Sequence, residues 1–192
     1  MHPFGSADFD KISLFSGLHC ASFFGIVEIV AILVEVEGCD INQNDCVGNT
    51  PLVWAAHNGH EGVVEMLLGQ DDIDADKSNS SGRTPLSYAV SGGHEGVVNM
   101  LLGQDDVDPN EPQLGGETPL SWAASKGHKG VVKMPLGRGD VSPHKPNKSG
   151  LTPLQKAAEN GHAGVVALLQ PRVSTSPDLG RGGIALPAAF EY

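Results

Sequence analysis

The chain is poor in aromatic residues, cysteine and positive charge, and it has no long apolar run; each shortage removes a class of protein. Aromatics make up 5% of residues against 40% apolar overall, so any core must be mainly aliphatic. Cys20, Cys39 and Cys46 are too few and too clustered for a disulfide framework. The most apolar window, Ile26 to Val36, is interrupted by Glu28 and Glu35 and falls well short of the roughly 20 residues that a spanning helix needs. No basic start followed by an apolar stretch and a small-residue cleavage site opens the sequence. These absences favour a reduced intracellular protein, cytoplasmic or nuclear, with no membrane partner. Basic residues number 12 against 23 acids, a formal net charge of −11. Such a chain repels phosphate backbones, which argues against nucleic acid as a partner. The deficit is uneven: residues 1 to 125 hold 19 acids and 3 bases, residues 126 to 192 hold 4 acids and 9 bases.

What is abundant is punctuation. The 25 glycines and 13 prolines are too many for a plain helical bundle and lack a Gly-X-Y period. They fall instead into an internal repeat. Thr-Pro-Leu begins at Thr50, Thr84, Thr118 and Thr152, 34 residues apart each time, and a degenerate Ser16-Gly17-Leu18 precedes the first by the same interval. An alanine pair or its relic follows each start, then Gly-His at Gly59-His60, Gly93-His94, Gly127-His128 and Gly161-His162, then Val-Val and an aliphatic pair.

Each repeated residue has a physical task. Threonine is a good helix N-cap, and proline suits the first helical position, where no backbone donor is needed. Leu52, Ala55 and Ala56 give one apolar helix face, Val63, Val64, Leu67 and Leu68 a second. Gly59 fits the left-handed conformation that ends a helix. The Asp-, Asn-, Gly- and Pro-rich stretch Asp71 to Arg83 reads as an extended finger. The unit is helix, tight turn, helix, finger, and stacked units bury a continuous core that one alone cannot. Five units give a domain over 14–170, after an N-terminal extension 1–13 and before a Pro-, Gly- and Ser-rich stretch, 171–192, read as a flexible tail.

These residues resemble the ankyrin-repeat signature, in register five times, in a style similar to the ankyrin arrays of large fungal proteins. The resemblance implies an all-α solenoid of helix-turn-helix units with projecting β-turn or hairpin fingers. It also implies a monomeric, non-catalytic module that binds a protein partner on its concave face and finger tips. The family contacts fall on the residue before each Thr and the pair before each Gly-His glycine. Here those are Asn49, His57 and Asn58; Arg83, Ser91 and Gly92; Glu117, Ser125 and Lys126; Leu151, Glu159 and Asn160. The pattern departs in places. The histidine after Thr-Pro-Leu survives only as His19, being Val53, Ser87, Ser121 and Gln155 elsewhere, which should weaken the bonds between units. Pro135 stands where Leu67 and Leu101 stand, and should shorten the last turn of its helix.

Other chemistries fit less well. A ladder of single histidines cannot converge on one zinc, because packed helices lie about 8–10 Å apart and metal ligands about 2 Å from the ion. Asp72, Asp74, Asp76 and Ser78 begin like a calcium loop, but Lys77 and Arg83 stand where the loop wants Gly and Glu. Trp54, Tyr88 and Trp122 recur at one position and are expected to pack between first helices. No nucleophile elbow or phosphate loop is present in the sequence, so no catalytic residue, cofactor or metal is assigned. The competing reading is a structural or regulatory segment that packs against an upstream domain through its apolar first unit, where Phe23-Phe24 replace the polar pair seen as His57-Asn58, and Phe4, Phe9 and Phe15 lie nearby.

Overall fold

A computed structural model describes residues 16–113, 115–136 and 141–170, without the side chains of Pro135 and Leu136. The proposed tail and the phenylalanines Phe4, Phe9 and Phe15 lie outside these residues. Ten helices and no strand are present among the described residues, arranged as five antiparallel pairs. In chain order they are α1 Gly17–Phe24 and α2 Val27–Val34, α3 Pro51–Asn58 and α4 Glu61–Leu68, α5 Pro85–Gly92 and α6 Glu95–Leu102. Then follow α7 Pro119–Lys126 and α8 Lys129–Leu136, and α9 Pro153–Glu159 and α10 Ala163–Leu169. First helices pack on first helices of neighbouring units and second on second, so the array is an open all-α solenoid.

The repeated residues do what their chemistry dictates. Ser16, Thr50, Thr84, Thr118 and Thr152 cap the first helices, each hydroxyl accepting the backbone N–H three residues on, and each such cap is worth about 1 kcal/mol. Gly59, Gly93 and Gly127 end α3, α5 and α7 at φ 74, 74 and 78°, where a side chain would be strained. The stripe expected from spacing is the core. Leu52, Ala55, Ala56, Val63, Val64 and Leu67 are fully buried, and Leu86, Ala89, Val97, Val98 and Leu101 repeat them. Each buried Val or Leu contributes roughly 1.5–3 kcal/mol.

Two features differ from expectation. The helix carrying Pro135 is not cut short: α8 has eight residues, like α4 and α6. Buried Val131 and Val132 hold the helix in the stack, and a proline this near the C-terminal end removes one donor without breaking a long ladder. The first unit is also bare as well as apolar. Phe24 and Ile32 are each 67% exposed, with Ile29 and Val36 also exposed.

Candidate functional site

Histidine makes the joints between helix pairs. The Nε2 atoms of His60, His94, His128 and His162 lie 2.9–3.1 Å from the carbonyls of Phe23, His57, Ser91 and Ser125 in the preceding unit. The ring of each lies against the helix-ending glycine of that unit. A Cβ on Gly59 would come within 2.5 Å of His94, so glycine serves the backbone angle and the ring together. The four histidines are therefore scaffold. Among the described residues, no three His, Cys, Asp or Glu side chains gather as a metal site.

Fingers are joined by two further ladders. At the first, Asp45, Asn79 and Asn147 each fold their own turn by accepting two backbone N–H groups through Oδ1. Asn79 then donates from Nδ2 to Asn49 Oδ1 of the preceding finger at 2.8 Å, and Asn147 to Glu117 Oε1 at 2.7 Å. Glu117 also accepts from Ser121 Oγ and pairs with Lys156 at 2.9 Å. Burial works against the charge on Glu117, yet these hydrogen bonds and Lys156 together hold its pKa below the ordinary carboxylate value. In the second ladder, Asn42 Oδ1 accepts the Asp74 N–H and Asn42 Nδ2 donates to the Asp72 carbonyl, while Asn110 Oδ1 accepts from Ser142. Asp76 holds the same place in the finger between them, with Oδ2 accepting from Asp108 and Oδ1 buried without a partner. Burial first, then the carboxylates of Asp108, Glu111 and Asp106, push its pKa up to about 6.

Trp54 and Tyr88 pack between first helices as expected and also tie a finger to its first helix, whereas Trp122 Nε1 is buried without a partner. Trp54 Nε1 donates to Asp45 Oδ2 at 3.0 Å, and Asn79 Nδ2 reaches Tyr88 Oη at 3.0 Å. Phe23 meets Trp54 edge to face at 5.4 Å, and His57 stands between Trp54 and Tyr88 at 6.2 and 5.2 Å. Burial first, then Arg83 and His94, lowers the His57 pKa. The Arg83 guanidinium lies 3.8 Å above Tyr88 and 5.8 Å from Trp122. Replacing the histidine after Thr-Pro-Leu does change the joints. His19 bonds both Ser16 and the Asn49 carbonyl of the next unit, whereas Ser87 turns back to Thr84 within its own helix.

The twelve expected contact residues fall into distinct settings. His57, Gly92, Lys126, Glu159 and Asn160 are exposed; Asn58, Arg83, Ser91, Glu117, Ser125 and Leu151 are half-buried; Asn49 is buried. His57, Ser91 and Ser125 give their carbonyls to the histidine joints, and Ser125 Oγ also accepts from Asn160 Nδ2 at 3.4 Å. Asn58 donates to the Trp54 carbonyl, and Asn160 to the Lys156 carbonyl. Asn49 and Glu117 belong to the finger ladder, which the contact pattern alone did not reveal; recurrence of Asp45, Asn79, Gln113 and Asn147 every 34 residues was the available signal.

Against known proteins, the sequence model of one family, described as ankyrin repeats (3 copies), matches residues 18–113 and again 106–178. No curated protein matches the chain.

Proposed function

Because the chain belongs to the ankyrin-repeat family, whose members are generally protein–protein interaction modules and typically non-catalytic, we propose that it is a monomeric, non-catalytic module binding a protein partner on its concave first-helix face and finger tips. One observation carries this reading. The recurring scaffold groups point into the joints, while the ends of α3, α5, α7 and α9 present His57, Ser91, Ser125, Lys126, Glu159 and Asn160 in successive register beside a row of half-buried rings. A few anchors within such a surface dominate binding. Cys20, Cys39 and Cys46 are free thiols, which fits an intracellular setting; no described helix is long and apolar enough to cross a membrane.

The test is a pull-down that identifies a partner, followed by binding of a combined His57, Asn58, Ser125 and Lys126 to alanine variant shown by circular dichroism to be folded. Loss of at least tenfold in affinity is expected; wild-type affinity in the folded variant rejects the face. The exposed Phe24 and Ile32 support a second reading, docking of another domain on the first unit. Ile32→Glu would then weaken association that the four-alanine variant leaves intact.

A further inference from the structure

We propose that an acidic side chain of a bound protein segment docks on the half-buried Arg83 guanidinium, which lies over Tyr88 without an acceptor of its own among the described residues. The inference rests on the first-helix face being the binding surface and names the chemistry of one contact on it.

In the first-to-second and third-to-fourth finger joints, an amide donor meets an oxygen: Asn79 meets Asn49, and Asn147 meets Glu117. The equivalent pair at the middle joint is Gln113 and Arg83. Arginine offers five donors and no acceptor, so Gln113 Nε2 cannot donate to it, and no bond between Gln113 Oε1 and Arg83 is made in its place. Gln113 is 6% exposed, and its Nε2 is sealed without a partner. Arg83 Nε is sealed without a partner as well. Among the described residues, the guanidinium has no hydrogen bond or ion pair, only the faces of Tyr88 and Trp122. The acceptor at the same position one unit on, the Glu117 carboxylate, is already engaged by Asn147, Ser121 and Lys156.

A guanidinium held over an aromatic ring is positioned before a ligand arrives, and its fork matches a carboxylate with two parallel bonds. The chain itself shows the completed arrangement at Glu117, where one carboxylate takes an amide, a hydroxyl and a cation. At the middle joint the amide and the cation are present and the carboxylate is missing. Arg83 keeps partial exposure beside the exposed His57, so an extended segment lying along the first helices can deliver it.

The experiment selects peptides from a random display library on the full chain, then measures each selected peptide and its Asp→Asn or Glu→Gln counterpart. Selected peptides should share an acidic position whose amide replacement weakens binding at least tenfold. That acid-over-amide preference should vanish in Arg83→Gln. It should also vanish in Gln113→Glu, which supplies an internal acceptor to Arg83 and is expected to melt no lower than wild type. Peptides without a shared acid, an acid preference surviving in either variant, or selection of no peptide overturns the proposal. Acid-free peptides that the four-alanine variant fails to bind would leave the binding face standing while the carboxylate contact falls.

Discussion

The middle finger joint and the joints on either side of it are built on the same positions, yet they are not equally made. The outer two are closed in both ladders: Asn79 on Asn49 with Asp74 on Asn42, and Asn147 on Glu117 with Ser142 on Asn110. The middle one leaves Gln113 Nε2 and Arg83 Nε buried without partners in the first ladder and has a carboxylate standing in an asparagine's place in the second. The helices beneath show no such break, since His128 closes the third and fourth pairs as His94 closes the second and third. A repeat protein can thus keep its helix stack uniform while leaving one finger joint unfinished. At the unfinished joint the Arg83 guanidinium is left over Tyr88 without an acceptor.

The uniform part should be the costliest to break. Gly59→Ala places a Cβ at a φ of 74° and against the His94 ring at once, and should cost roughly 3 kcal/mol from backbone strain and the lost joint together. Gly161→Ala has nearly the same φ, 73°, but nothing within 4 Å of its Cβ, so strain alone should cost about 1–2 kcal/mol. Urea unfolding of the two variants measures the difference. Equal losses would mean that the histidine rings contribute nothing beyond what the backbone angle already imposes.

A closed finger joint comes next. Glu117→Ala strands the donors of Asn147, Ser121 and Lys156 together and should cost about 2 kcal/mol. Its pH signature follows from the lowered pKa. The contribution is complete above the carboxylate's unfolded value of 4.5 and is lost as pH falls through the lower folded one. Unfolding midpoints of wild type and variant should therefore converge in strong acid. A gap that stays constant down to pH 3 would show that the carboxylate's charge is not what closes the joint.

The difference between the joints was only partly legible in the sequence. Helix pairs, caps and core were readable because each is a local rule repeated five times, with Thr, Pro, Gly and Val fixing backbone and burial within a few residues. The contact positions were readable only as register. Spacing places Asn49 and Arg83 at one site, but it does not say that one is buried under Asn79 while the other lies on Tyr88. That outcome depends on which side chain the neighbouring finger offers, 30 residues along the chain. The full-length helix through Pro135 has the same origin, since the packing that holds Val131 and Val132 comes from adjacent units.

The smallest expected effect distinguishes the two defects of the middle joint. Asp76 departs from the arrangement of Asn42 in one atom: an oxygen without a partner replaces a nitrogen that donates to a carbonyl. By the 34-residue register, the carbonyl it would face is that of Asp106, and two acceptors repel. The folded pKa of about 6 lies above the unfolded value of 3.8, with burial the first cause. Between those values the folded chain keeps a proton that the unfolded chain has released. Stability at this site therefore declines as pH rises through the window and stays reduced above it, opposite in sign to Glu117. Asp76→Asn removes the charge and restores a donor, and should stabilise the array by about 1 kcal/mol at pH 7. Near pH 4 the protonated aspartic acid can itself donate, so the advantage of asparagine should shrink. Urea midpoints at pH 7 and pH 4 read this directly. An advantage unchanged between the two would mean that the unpartnered oxygen carries no charge penalty, and the weakness of the middle joint would then reside in Arg83 and Gln113 alone.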